Sequence, residues 1–276
     1  MRLPVDTCSL LAALACVITP WVVACSTSPM TSNPAPATVA ELAPSGTLRA
    51  AINLGNPVLA TRDPATGEPR GVSVDLAREL ARRLGVPLDM VTFAAAGKVV
   101  AGVKSNAWDV AFVAIDPVRG ADMDQTAPYV MIEGGYLVPQ SSAIQANAEV
   151  DRAGLRIVVG AGSVYDLYLT RELKHAQLVR APTSQAVVDT MVAGRYEVAA
   201  GVKQLLQSDA RRVPGVRLLP GRFMVIDQAM ALPKGRPAAA RYLADFVESV
   251  KASGFVADAL ARNGIEGAAV APLARK

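Results

Sequence analysis

From Gly46 onward, short apolar runs alternate with segments of helical spacing. Leu48 to Leu54 is a β-type run, followed by turn residues through Gly71. Val74, Leu76, Ala77, Leu80, Ala81 and Leu84 recur at helical spacing, with Gly85 as a stop and Pro87 beyond it. Leu88 to Phe93 reads as a strand, Lys98 to Lys104 as a short helix, and Trp108 to Ile115 as a buried strand with no charge after Asp109. Gly135 to Pro139 reads as another strand. The pattern then restarts: strands at Leu155 to Val159, Gln177 to Ala181 and Tyr196 to Gly201 interleave with helices at Val164 to Leu173 and Gln185 to Ala193. A helix over Gln204 to Arg211, a short strand over Arg217 to Leu219 and an extended run over Met224 to Leu232 follow. Helices over Ala238 to Ser253 and Phe255 to Asn263, broken at Gly254, complete the chain. Strands separated by helices of this length imply parallel sheets built from βαβ units. Because the unit occurs twice, the expected fold is α/β with two lobes of like construction. In such sheets ligands bind beyond the carboxyl ends of the strands, here the crevice between lobes.

The first 45 residues break this pattern. Arg2 precedes an apolar run from Ser9 to Ala24 that has the length of a signal-peptide core and is interrupted by Thr19-Pro20. Val22-Val23-Ala24-Cys25 resembles a bacterial lipobox, which predicts a signal peptide over 1–25, lipidation of Cys25 and a periplasmic location. Residues 26–45 are rich in Ser, Thr, Pro and Ala and nearly uncharged, which predicts a flexible tether.

The chain has 276 residues, 51% of them hydrophobic, so a substantial core can form. A net charge of +4 is spread without a basic block, which argues against a nucleic-acid partner. The cysteines (Cys8, Cys16 and Cys25) all precede the body, and His175, the only histidine, reads as an exposed helix end. Neither a metal site nor a cofactor is expected.

Two local pieces carry chemistry. In Val158-Val159-Gly160-Ala161-Gly162-Ser163-Val164-Tyr165-Asp166, a strand runs through a glycine turn into a helix that Ser163 caps, with Asp166 completing a capping-box-like pair. A helix start offers free N–H groups to an anion; the local sequence fits an ordinary capped helix equally well. In Ala114-Ile115-Asp116-Pro117-Val118-Arg119, Asp116 reads as the cap of a helix whose first residue is Pro117. Arg119 then stands just past a strand's carboxyl end, where its planar fork matches a carboxylate.

Together these pieces resemble the extracellular solute-binding proteins of family 3, which serve ABC importers of polar amino acids. Gly46-Thr47-Leu48-Arg49, Gly71-Val72-Ser73-Val74-Asp75-Leu76-Ala77, Trp108-Asp109-Val110, Ala127-Pro128-Tyr129 and Gly194-Arg195-Tyr196-Glu197-Val198 keep the order of that family's motifs from Gly46 to Gly267. The resemblance implies a type II periplasmic-binding-protein fold, with one lobe of 46–138 and 226–276, a second of 139–225, and two hinge crossings. It also implies a monomer that docks on an inner-membrane permease. In the family the residue matching Arg119 clamps the ligand's α-carboxylate, and the turn matching Gly162-Ser163 adds N–H and hydroxyl donors. The ligand-facing positions it implies are Asn53, Leu59, Ala114, Asp116, Arg119, Gly162, Ser163, Val202 and Lys203.

The departures from the family bear on the ligand. Val202 and Lys203 stand where the family's ammonium-binding Asp is expected. Val58-Leu59, with Asn56, replace the aromatic lid, and Ala95-Ala96 a second aromatic. The expected ligand is therefore a small carboxylate without an α-ammonium, with Lys203 available to a second anionic group. Two alternatives remain. One is an enzyme like the cyclohexadienyl dehydratases that resemble this family, with Asp116, Asp227 and Lys203 as its candidate groups. The other is a sensor or scaffold lipoprotein without tight ligand binding.

Overall fold

The computed structural model describes residues 34–275; the expected signal peptide, Cys25 and the first part of the expected tether, 26–33, lie outside them. In chain order the elements are α1 (Pro36–Leu42), β1 (Leu48–Asn53), β2 (Thr61–Arg62), β3 (Pro69–Arg70), α2 (Val72–Leu84), β4 (Leu88–Phe93), α3 (Ala96–Ala101), β5 (Val110–Ala114) and β6 (Met123–Pro139). The second part continues with β7 (Arg156–Gly160), α4 (Val164–Glu172), β8 (Gln177–Ala181), α5 (Val187–Ala193), β9 (Val198–Val202), α6 (Lys203–Arg212) and β10 (Val216–Leu218). β11 (Met224–Pro233), α7 (Pro237–Ala252), α8 (Phe255–Arg262) and β12 (Ala269–Val270) complete it.

The sheet order is β4-β1-β5-β11-β6-β9-β7-β8. β1 pairs in parallel with β4 and β5, and β7 in parallel with β8 and β9, so each half contains the expected βαβ units. Between them, β11 and β6 run antiparallel. β6 is one long strand shared by both halves: up to Gly134 it pairs with β11, and from Gly134 to Leu137 with β9. This is the two-lobed α/β architecture of the type II periplasmic binding proteins.

Side-chain alternation decides which layer each residue joins. Val110, Phe112 and Ala114 of β5 face one way, toward the layer that holds α2, α7 and α8. Ala111 and Val113 face the other way, toward Val99 of α3 and the buried Trp108. β7 and β9 repeat the scheme. Ile157, Val159, Val198 and Ala200 share a layer with α4, while Val158 and Ala199 meet Val187, Val188, Met191 and Leu206 of α5 and α6.

Three sequence expectations need correction. The nearly uncharged segment 26–45 is not a tether throughout. Over Pro36–Leu42 it is a helix with proline at its start, and Leu42 is fully buried. Glu41 anchors it, its carboxylate accepting from Ala239 N–H at 2.8 Å and its carbonyl from Arg236 at 3.0 Å. Second, Asp116-Pro117 does not open a helix. The chain makes a turn there and then one 3-10 turn at Arg119–Ala121. Third, the strand expected over 135–139 begins twelve residues earlier, at Met123.

Candidate functional site

Arg119 owes its position to the turn after β5. Asp116 Oδ1 accepts from Val118 N–H at 2.8 Å, a local side-chain turn that reverses the chain. The guanidinium then folds back, and Nη1 donates to Ala114 O at 3.1 Å. Gln125 Nε2 donates to the same carbonyl at 3.2 Å. Nη2 reaches across to the second half of the molecule and donates to Gly162 O at 3.0 Å. Arg119 is only 2% exposed, and its Nε has no hydrogen-bond partner among the described residues. Burial pulls its pKa down to about 10, against the opposing pull of Asp116, so it stays charged at neutral pH.

Opposite stands the start of α4. Ser163 caps it, its Oγ accepting from Asp166 N–H at 3.1 Å, and Asp166 Oδ2 accepts from Gly162 N–H at 2.9 Å. The expected pair is therefore formed, but it consumes the Gly162 N–H. Gly162 presents its carbonyl to Arg119 instead. The amides of Val164 and Tyr165, the first two of the helix, have no acceptor among the described residues. The Tyr165 hydroxyl donates to Ser184 Oγ at 2.6 Å, and burial raises its pKa. Gly160 makes room for this contact, since a Cβ there would meet Ser184 at 2.9 Å.

The two halves touch around this point. Arg171 of α4 forms an ion pair of 2.9 Å with Asp116, whose side chain is almost fully buried. Gln185 Nε2 donates to Leu54 O at 2.9 Å. Gly97 and Gly162 meet backbone to backbone, so that a Cβ on Gly162 would lie 2.9 Å from Gly97 Cα. The cleft left between them has a volume of about 30 Å³, room for about one water.

Of the residues expected at the site, Asn53, Ala114, Arg119, Ser163 and Val202 line this cleft. Gly162 joins them through its carbonyl on Arg119. Three do not line it. Leu59 is a core residue whose carbonyl accepts from Ser73 N–H at 3.1 Å. Asp116 is divided between Val118 N–H and Arg171. Lys203 turns away to Glu133, at 2.9 Å, a carboxylate that also takes Arg222. Both cations hold the Glu133 pKa below its ordinary value. The structure adds Asn56, Ala96, Tyr165, Ser184, Ile226 and Gln228, of which Ser184, Ile226 and Gln228 are not singled out by the sequence. The one signal for Gln228 is its polarity inside the apolar run of β11.

Among the lining residues Arg119 carries the only formal charge. The others offer amide, hydroxyl and apolar surface. The arrangement can bind an anion, through one buried guanidinium and two helix-start amides.

Comparison with known proteins gives a consistent result. The family model for bacterial extracellular solute-binding proteins, family 3, matches residues 48–263. Solved structures share the fold. The solute receptor for L-cysteine of Neisseria gonorrhoeae is 22% identical with a TM-score of 0.72, covering 83% of this chain and 94% of its own. A mutant of ArgBP from T. maritima is 19% identical with a TM-score of 0.71, covering 83% and 100%. An ancestral amino acid-binding protein described as a precursor of cyclohexadienyl dehydratase is 20% identical with a TM-score of 0.69, covering 82% and 98%. No curated protein matches. With a family model spanning most of its length and the fold to go with it, the chain belongs to the bacterial extracellular solute-binding proteins of family 3.

Proposed function

We propose that the chain is the solute-capturing component of an ABC importer, and that it takes a small monocarboxylate rather than an α-amino acid. One observation carries this reading: among the described residues Arg119, buried and charged, has no partner for its Nε, and no acidic side chain lines the cleft it faces. A buried cation is costly unless an anion pairs with it. A carboxylate on Arg119 and the Val164 and Tyr165 amides meets that need. An ammonium would enter with no counter-charge. Lys203 is held by Glu133, so a second anionic group on the ligand has no waiting partner.

The mechanism is hinge closure of the lobe 46–138 with 226–276 on the lobe 139–225. The ligand favours the closed state by touching both. The closed protein then docks on its permease. Export by residues 1–25 and a lipid on Cys25 hold it at the membrane in the periplasm.

Calorimetry with lactate and alanine, which differ by a hydroxyl for an ammonium, separates the possibilities. Lactate-class acids should bind, alanine should not, and Arg119→Gln should weaken the acid at least about a hundredfold. Equal or tighter binding of alanine would refute the monocarboxylate reading.

One observation favours a second reading, a sensor or scaffold lipoprotein without tight ligand binding: the cleft of about 30 Å³ is nearly filled by the chain itself. A thermal-shift screen of small acids with no response would support it. The dehydratase reading gains no comparable support, because Asp116, Asp227 and Lys203 are all absent from the cleft lining.

A further inference from the structure

A second concavity, larger than the cleft, lies away from it. It is an open groove of about 700 Å³ at the outer end of the second half, beside the starts of β7 and β9. Its floor and walls are mostly apolar, with Ile144, Leu155, Met191, Val192, Tyr196 and Val216 among them. Val192 is 48% exposed there, one of the few large apolar side chains so open to solvent.

The wall is built. Gly194 has no Cβ, and one placed there would collide with the Tyr196 ring, so the ring lies flat against the backbone. Arg156 covers it, with its guanidinium carbon 4.7 Å from the ring centre. Arg156 is itself fixed by Glu197 at 2.6 Å. The one acid in the lining is thus already paired.

The cations are not all paired. Arg152 is bound to Glu149 at 3.2 Å. Arg195 lines the groove with no carboxylate within ion-pair distance among the described residues, and it holds a left-handed φ of 52°. That conformation closes α5 in a Schellman motif, with Tyr196 N–H donating to Met191 O at 2.9 Å and Arg195 N–H to Val192 O at 3.2 Å, and so fixes Arg195 beside the groove. Arg217 lies behind the wall and donates only to the carbonyls of Ser142 and Ile144, at 3.0 and 2.6 Å. The groove is therefore apolar inside and positive at its edge. Its volume falls in the range of about 300–1,000 Å³ typical of small-molecule sites.

We propose that this groove is a second binding site, for an amphipathic carboxylate with an extended apolar tail. The tail lies on Val192, Met191 and Tyr196, and the carboxylate meets Arg195. The site is independent of Arg119 and of any ligand in the cleft.

Calorimetry of the full chain with laurate tests it, with dodecanol as the uncharged control. One laurate should bind per chain, and dodecanol should bind more weakly. Val192→Asp should lower laurate affinity at least tenfold and Arg195→Ala severalfold, while Arg119→Gln changes nothing. Because Val192 is half exposed, Val192→Asp is expected to unfold at the wild-type temperature, which separates a lost site from a lost fold. Absence of binding, binding that survives Val192→Asp, or binding lost with Arg119→Gln would each overturn the proposal. A negative result leaves the cleft's lactate titration unaffected, so the two readings fail separately.

Discussion

At the residue scale, the Arg119 turn shows how a few local bonds place a charge. Asp116 serves both the turn, through Val118 N–H, and the contact between halves, through Arg171. Asp116→Asn keeps an oxygen for the turn but loses the ion pair. The expected outcome is a closed state weaker by about 1 kcal/mol, since Arg171 is partly solvated. It would appear as a larger radius of gyration in X-ray scattering of the ligand-free protein. A different residue sets an acid response. Glu79 lies between Arg82 and Arg83, and its pKa falls to about 2, chiefly through the hydrogen bond from Arg82. A depressed acid stabilises the fold above its ordinary pKa of 4.5, and that stability is lost as the pH falls toward about 2. Glu79→Gln should therefore cost about 1 kcal/mol in urea unfolding at neutral pH. At the acid end of that window it should cost almost nothing. The capped helix start was legible because cap chemistry is local, whereas the turn that places Arg119 reads from sequence as a helix start, since Asp116-Pro117 suits either. The place of Lys203 was not legible, because its partner Glu133 is seventy positions away in the chain. Ser184 and Gln228 owe their place to lobe packing, which no local spacing records.

Among the elements, most strands and helices follow from periodicity, and the exceptions have physical causes. β6 was visible only at its end because Pro128 and the pair Gly134-Gly135 interrupt its pattern, and pairing with β11 overrides them. α1 hid in a Pro- and Ala-rich segment, and its stability comes from docking on α7. Leu42→Ala should thus lower global stability by about 3 kcal/mol in denaturant titration. A surface helix that merely rests on the body would show far less. The α3 start meets the glycine turn before α4 through Gly97 and Gly162. In the present geometry a Cβ on Gly97 would already lie 3.3 Å from Gly162 Cα, and the branches of valine would reach further. Gly97→Val should leave each half folded yet hold them apart. Scattering should then report an expanded molecule, and affinity for the cleft ligand should fall at least tenfold.

For the whole molecule, the proposed hinge closure is an equilibrium between two halves that share one long strand. The contacts that shut it, Arg119 to Gly162, Arg171 to Asp116 and Gln185 to Leu54, belong to the chain itself. The docked helix α1 bears on a different length. With its first residue at Pro36, the chain between the proposed lipid on Cys25 and the folded body is ten residues, not twenty. Ten extended residues reach at most about 35 Å. With the lipid proposed for Cys25, a reach that short would hold the folded body within about 35 Å of the bilayer, in a thin shell beside the proposed permease rather than through the depth of the compartment.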